Sequence, residues 1–201
     1  MSHTQQKEQT LVLIKPDGVQ RGLIGDIIKR IEYTGLKLTA LKFLACDQDK
    51  LFTHYNKDDA WYISKGQKIV DNMIAKGHTP EKEAIDYGKD IIKALVVYMQ
   101  SSPVVAMIWE GNEAVGVVRK IVGGTEPTSS DVGTIRGDYT IDSYGMANQE
   151  NRAVRNLIHS SEEASEAKRE IAIWFSDEEI MDYTHVNEML LYGDDFRGFA
   201  L

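Results

Sequence analysis

His159 is the residue of this sequence best placed for covalent chemistry. It stands at what reads as the end of a short strand, just before Ser160-Ser161 and after a long irregular stretch that carries Arg136 and Asn156. A histidine in that position is held at the mouth of a cleft on a rigid base. At neutral pH an imidazole, with its ordinary pKa of about 6.5, is mostly neutral and nucleophilic without a strong base beside it. His3, His54, His78 and His185 lack this setting. Lys15, Arg119 and Arg136 are dispersed cations, with Thr125 and Asn156 as neutral donors, and together they could form an anion site without one contiguous motif. Gly18-Val-Gln-Arg-Gly22 suggests a phosphate loop but lacks the Gly-Lys-Ser/Thr end of a Walker loop. No GxGxxG, HExxH or EF-hand pattern occurs either, so any divalent metal is expected to arrive on substrate phosphates. Residue patterns alone stop at an anion-binding enzyme or a regulatory module.

The elements that must carry these side chains follow from hydrophobic periodicity. Leu11-Val-Leu-Ile14 is a continuous apolar run stopped by Lys15-Pro-Asp-Gly18, a buried strand with the lysine at its rigid end. Ile24, Ile27, Ile28 and Ile31 recur at helical spacing and Gly35 closes that helix. Strands follow from Leu36 and from Pro103 to Trp109, with a short helix over Asn112 to Ile121. Alternating strands and helices indicate an α/β or α+β sandwich. Ser160 and Glu163 have capping-box spacing ahead of a helix whose stripe is Ala164, Ala167, Ile171, Trp174 and Phe175. An extra piece lies between Asn56 and Asp90: Ile63, Ile69, Val70, Met73 and Ile74 predict a helix ending near Gly77, and Thr79-Pro-Glu81 predicts a second helix start.

The chain has 201 residues, one domain's worth, with Lys plus Arg at 23 against 31 Asp plus Glu and a formal charge of -8. That balance disfavours nucleic acid and anionic membranes as partners. Residues 160–201 alone carry an acidic excess equal to the whole, so phosphate-handling residues are expected before them. Cys46 is the only cysteine, which excludes an internal disulfide and suits a reducing compartment. With no apolar leader and no run near the roughly 20 residues of a membrane span, a cytoplasmic location is expected.

Thr10-Leu-Val-Leu-Ile-Lys-Pro-Asp-Gly18, Gly133-Thr-Ile-Arg-Gly-Asp138, Arg155-Asn-Leu-Ile-His-Ser-Ser161 and Ala167-Lys-Arg-Glu-Ile171 occur in this order. In these segments the chain resembles the nucleoside diphosphate kinase family. The resemblance implies a ferredoxin-like fold, a four-stranded antiparallel sheet with helices, here with an inserted helical segment. It implies ping-pong transfer of the γ-phosphate of a magnesium-bound nucleoside triphosphate to a nucleoside diphosphate, through a phosphohistidine at His159. Glu170 matches the position that accepts a hydrogen bond from Nε2–H and leaves Nδ1 free for attack. Arg119, Thr125 and Arg136 match phosphate-binding positions, Lys15 and Asn156 positions near sugar and phosphates, and Tyr55 and Ser161 residues lining the site. On pattern alone Tyr55 also reads as core and Ser161 as a helix cap. Ile91 and Ile92 stand where the family has an aromatic pair, so Ile91 is expected to clamp the base, with Trp61 or Tyr62 as substitutes. Residues 57–90 then form a helical flap beside the base. A second insertion, residues 144–154, reads as a polar surface loop near the active-site mouth, with Arg152 facing solvent in preference to touching phosphate. Ser129-Ser-Asp-Val132 belongs to a loop that makes subunit contacts in the family, and a homo-oligomer is implied. The alternative is a nucleotide-binding regulatory protein of the same fold with little turnover.

Overall fold

The computed structural model describes residues 7–192, and His3 lies outside them. Leu11 to Ile14 are wholly buried within β1 (Glu8–Ile14), because helices cover both faces of the sheet. A strand buried on both sides needs apolar residues at every position, which is the continuous run seen in the sequence. The sheet has the order β2 (Lys37–Leu44), β3 (Val104–Gly111), β1, β4 (Ile158–Ser160), with every pairing antiparallel. Period-two alternation sends Leu11, Leu13, Ala106 and Ile108 to one face, against α3 (Gln48–Tyr55), α5 (Ala84–Met99) and α9 (Ala164–Trp174). Val12, Ile14, Val105, Met107 and Trp109 face the other side, against α2 (Ile24–Glu32) and α6 (Ala114–Val122). Each fully buried Leu or Ile here contributes about 1.5–3 kcal/mol.

Register decides where the histidine points. Leu13 lies opposite His159 across the β1–β4 ladder, so the two side chains share a face. That face carries α3 and α9, which bring Tyr55 and Glu170 to the ring. Between Ile14 and α1 (Pro16–Gln20) only Lys15 intervenes, extended and serving as the N-cap.

The extra piece is a helical hairpin. Asp58 caps α4 (Asp59–Ala75) by accepting from Trp61 N–H at 2.8 Å, and the chain leaves the helix through Gly77 at φ +77. α4 and α5 cross backbone against backbone: a Cβ on Gly66 would sit 1.6 Å from the Ala84 carbonyl oxygen, and one on Gly88 2.1 Å from that of Tyr62. Two helix starts read from the sequence are corrected. Pro80 lies in the connecting turn, where Tyr87 Oη takes the Glu81 N–H, and α5 begins at Ala84. Ser160 is held in β4 by pairing with Val12, so α9 begins later, at Ala164. A capping box does occur, at Ser176 with Glu179.

The stretch after α6 is less irregular than its composition suggests. Thr134 caps α7 (Ile135–Tyr139) and Ser143 caps α8 (Tyr144–Gln149), each accepting from a backbone N–H at 3.1 Å. Residues 144–154 are therefore partly helical rather than a plain loop. Arg152 grips Asp142 through two bonds of 2.6 and 2.9 Å instead of facing solvent. Among the described residues no helix is long and apolar enough to cross a membrane.

Candidate active site

His159 Nε2 lies 3.0 and 3.1 Å from the two carboxylate oxygens of Glu170. Glu170 is buried and also accepts from Ser161 Oγ at 2.7 Å, while Ser161 Oγ itself accepts the Leu11 N–H at 3.2 Å. The serine hydroxyl is thereby turned toward the carboxylate, and the carboxylate must act as acceptor on both sides. Nε2 then carries the imidazole proton, and Nδ1, without a hydrogen-bond partner among the described residues, presents its lone pair. Burial, with Lys15 next in weight, holds the His159 pKa down to about 3, so the ring is neutral across the physiological range. Tyr55 sets its ring edge-on to the histidine at 6.2 Å. Its hydroxyl is buried without a partner among the described residues, and burial pushes its pKa up, so it stays a neutral phenol.

A second group gathers around Asn156. Lys15 Nζ donates to Asn156 Oδ1 at 2.7 Å, and Asn156 Nδ2 donates to the Thr125 carbonyl at 2.8 Å. Arg136 is buried, and four of its N–H groups go to backbone carbonyls: Nε to Asn156, Nη1 to Gly123 and Gly124, and Nη2 to Ile158. With five donors on a guanidinium, one is left for a ligand. Burial, then the neighbouring Arg136 charge, brings the Lys15 pKa down to about 7. Arg136 itself, lowered by burial to about 10, stays cationic.

Arg119 stands on the wall of an open cleft of about 540 Å³, together with Asn56, Lys57, Arg169, Glu162 and Glu166. Asn56 follows Tyr55 and Glu162 follows Ser161, so the cleft opens beside the histidine group. Three of the acidic residues after position 160 line it, Glu163 included, alongside Arg169. Glu166 is occupied by Lys57 at 3.5 Å and by the Glu162 N–H at 3.1 Å. Thr125 is exposed just beyond α6. Ile91 is half-buried on α5, beside the core residue Ile92. Trp61 and Tyr62 pack edge-to-face on each other at 5.6 Å and against the core.

Two residues not singled out as site residues from the sequence belong to this constellation. His54 Nδ1 accepts from Trp174 Nε1 at 3.2 Å, and its ring lies 4.6 Å from that of His159. Asp17 accepts from Leu157 N–H at 3.0 Å and from Tyr98 Oη. The only hints in the sequence were the neighbours, Tyr55 for His54 and Lys15 for Asp17. Among the described residues the one cluster of metal-capable side chains is His54, His159 and Glu170. Two imidazoles and one carboxylate are a poor match for magnesium, which prefers six oxygen ligands.

A family model described as nucleoside diphosphate kinase matches residues 8–74 and 67–180. A nucleoside diphosphate kinase of Pyrobaculum aerophilum is 44% identical over 180 residues, spanning 87% of this chain and 98% of that protein. The crystal structure of an NDP kinase from that organism is similar with a TM-score of 0.82 at 42% identity, over 88% of this chain and 100% of that one. A Borrelia burgdorferi nucleoside-diphosphate kinase, described as a transition state mimic with bound vanadate and ADP, gives a TM-score of 0.76 at 35% identity, over 93% and 98% of the two chains. A halophilic enzyme from Halobacterium salinarum in complex with CDP gives 0.68 at 34% identity, over 93% and 99%.

Proposed function

The chain belongs to the nucleoside diphosphate kinase family, a family of phosphotransferases, and on that premise we propose that His159 carries the phosphoryl group. Its Nδ1 attacks the γ-phosphorus of a nucleoside triphosphate, the N–P bond forms as the bond to the bridging oxygen breaks, and the diphosphate leaves. An acceptor diphosphate then takes the group back by the reverse displacement. The observation that carries this reading is the neutral imidazole with Nε2 fixed on Glu170 and Nδ1 unengaged. Glu170 holds the ring in one tautomer and stabilises the positive charge that develops on it.

Lys15, Arg119 and the remaining Arg136 donor supply positive charge for the transferring oxygens, with Thr125 as a neutral donor. Lys15 and Asn156 reach the sugar, and Ile91 offers an apolar surface to the base. Magnesium rides on the nucleotide, where it neutralises phosphate charge. The exposed Leu41 and Phe43 of edge strand β2 support assembly as a homo-oligomer. The single cysteine supports a cytoplasmic location, and the -8 charge disfavours nucleic acid as a partner. Initial rates at several fixed diphosphate concentrations test the two-step scheme: double-reciprocal lines run parallel, and lines that converge would overturn it.

Two further results are expected. Lys15 is an ammonium below its pKa of about 7 and neutral above it, so kcat/KM, which reports the free enzyme, falls as pH rises past 7. His159, lowered to about 3, contributes no loss between pH 8 and 5, and its ring signals in NMR show no shift of the size that imidazole protonation gives over that range. A ring titration centred near 6.5 contradicts this. The hairpin of α4 and α5 is proposed to flank the base, and hydrogen exchange over residues 57–90 is expected to slow with bound nucleotide; unchanged protection removes that role.

A further inference from the structure

Asp17 ties three separate segments together. Its half-buried carboxylate accepts from its neighbour Gly18 N–H at 2.9 Å, from Tyr98 Oη at the end of α5, and from Leu157 N–H at 3.0 Å. Leu157 is held at φ +68, in the left-handed region that a leucine seldom occupies. Its N–H goes to Asp17 and its carbonyl accepts from Lys15 N–H at 2.8 Å, so the peptide groups on both sides of this residue are anchored on the β1–α1 turn. Immediately before it stands Asn156, the partner of the Lys15 ammonium, and two residues after it His159. The strain is therefore fixed by groups that also face the nucleotide.

Charge gives the same residue a second role. Lys15 is faced by Arg136 from α7, by the Tyr98 ring of α5 at 5.9 Å, by the Asn156 amide, and by His159 of β4 and His54 of α3 through their charges when protonated. Asp17 is the carboxylate acting on it from α1, and it favours the ammonium.

We infer that Asp17 is a positioning residue for the reaction: it locks the left-handed Leu157 turn that presents Asn156, and its negative charge partly offsets that of Arg136 at Lys15. This rests on the reading of Lys15 and Asn156 as nucleotide-facing groups. Asp17→Asn keeps the shape but turns one oxygen into a donor, which must oppose either the Leu157 or the Gly18 N–H. It also removes the charge. The alkaline fall of kcat/KM is then expected about one pH unit lower than in wild type. At pH 8 the variant loses about fivefold more, relative to wild type, than at pH 6, because a pKa moved from about 7 to about 6 cuts the charged fraction about ninefold at pH 8 and about twofold at pH 6.

A purely structural role lowers activity equally at both pH values, and that result overturns the inference. Tyr98→Phe serves if Asp17→Asn does not fold. It keeps the ring over Lys15 and the Asp17 charge while removing one of the three anchors. Faster amide exchange at Leu157 and Lys15, with the alkaline limb in place, is expected; exchange as slow as in wild type overturns it. Phosphoenzyme labelling on the same samples separates the two levels. If wild type labels and the variants show neither effect, only the role of Asp17 fails, whereas if wild type does not label, the reading of the site fails first.

Discussion

His159→Ala is expected to lose phosphoryl transfer by about ten-thousandfold or more, as the removal of a covalent nucleophile commonly does. Among the described residues no other imidazole is so arranged. His54 lies beside it, but its Nδ1 is taken by the Trp174 indole N–H and its Nε2 is buried without a partner. A neighbouring nucleophile therefore cannot take over. Nucleotide binding is expected to survive, since Lys15, Arg119, Arg136 and Asn156 stay in place, and equilibrium binding of a diphosphate within a few fold of wild type checks this. The stability cost is modest. Glu170 keeps its Ser161 partner but loses the imidazole N–H, which costs about 1–3 kcal/mol at a buried acceptor. A variant that retains even a hundredth of wild-type turnover argues against covalent transfer through this ring.

Arg136→Lys is expected to be the most damaging conservative change. The guanidinium holds the carbonyls of Gly123, Gly124, Asn156 and Ile158 at once, and thereby fixes the turn after α6 against the strand that carries His159. An ammonium has three donors in a different geometry and cannot reproduce a planar fork. At least one buried carbonyl loses its partner, and a loss of roughly 3 kcal/mol or more is expected from the combined effect. Denaturant unfolding checks it through a lower midpoint at unchanged slope. If stability stays within about 0.5 kcal/mol of wild type and only KM rises, Arg136 is chiefly a phosphate ligand and its carbonyl contacts are incidental. The resemblance implied phosphate binding for this residue; four committed donors give it a structural role as well.

How far the sequence reveals this arrangement depends on how local each cause is. β1 is legible because burial on both faces demands an unbroken apolar run, and α2 because its isoleucines keep helical spacing. α3 is not legible, since its buried side chains Leu51, His54 and Tyr55 sit among polar residues in a helix of 8 residues. Ser160 shows a local signal overridden from a distance: its spacing to Glu163 suits a cap, but pairing with Val12 keeps it in a strand. The links between Asp17 and Leu157, and between Lys15 and Asn156, span 140 and 141 positions of sequence. No periodicity encodes such a separation: residue types alone offer Lys15, Asn156 and His159 as dispersed candidates, and the resemblance gives them their roles. Charge arithmetic over long stretches does not resolve the local balance at the site, where Glu162, Glu163 and Glu166 line the same cleft as Arg119.

Incubation with γ-labelled ATP and magnesium, followed by a chase with GDP, tests the central claim most directly. The wild-type chain is expected to acquire label that is acid-labile and alkali-stable, the pattern of a phosphoramidate on histidine, and to surrender it to GDP, while His159→Ala stays unlabelled. Absence of label on the active wild-type protein, or equal labelling of His159→Ala, would contradict phosphoryl transfer through this residue.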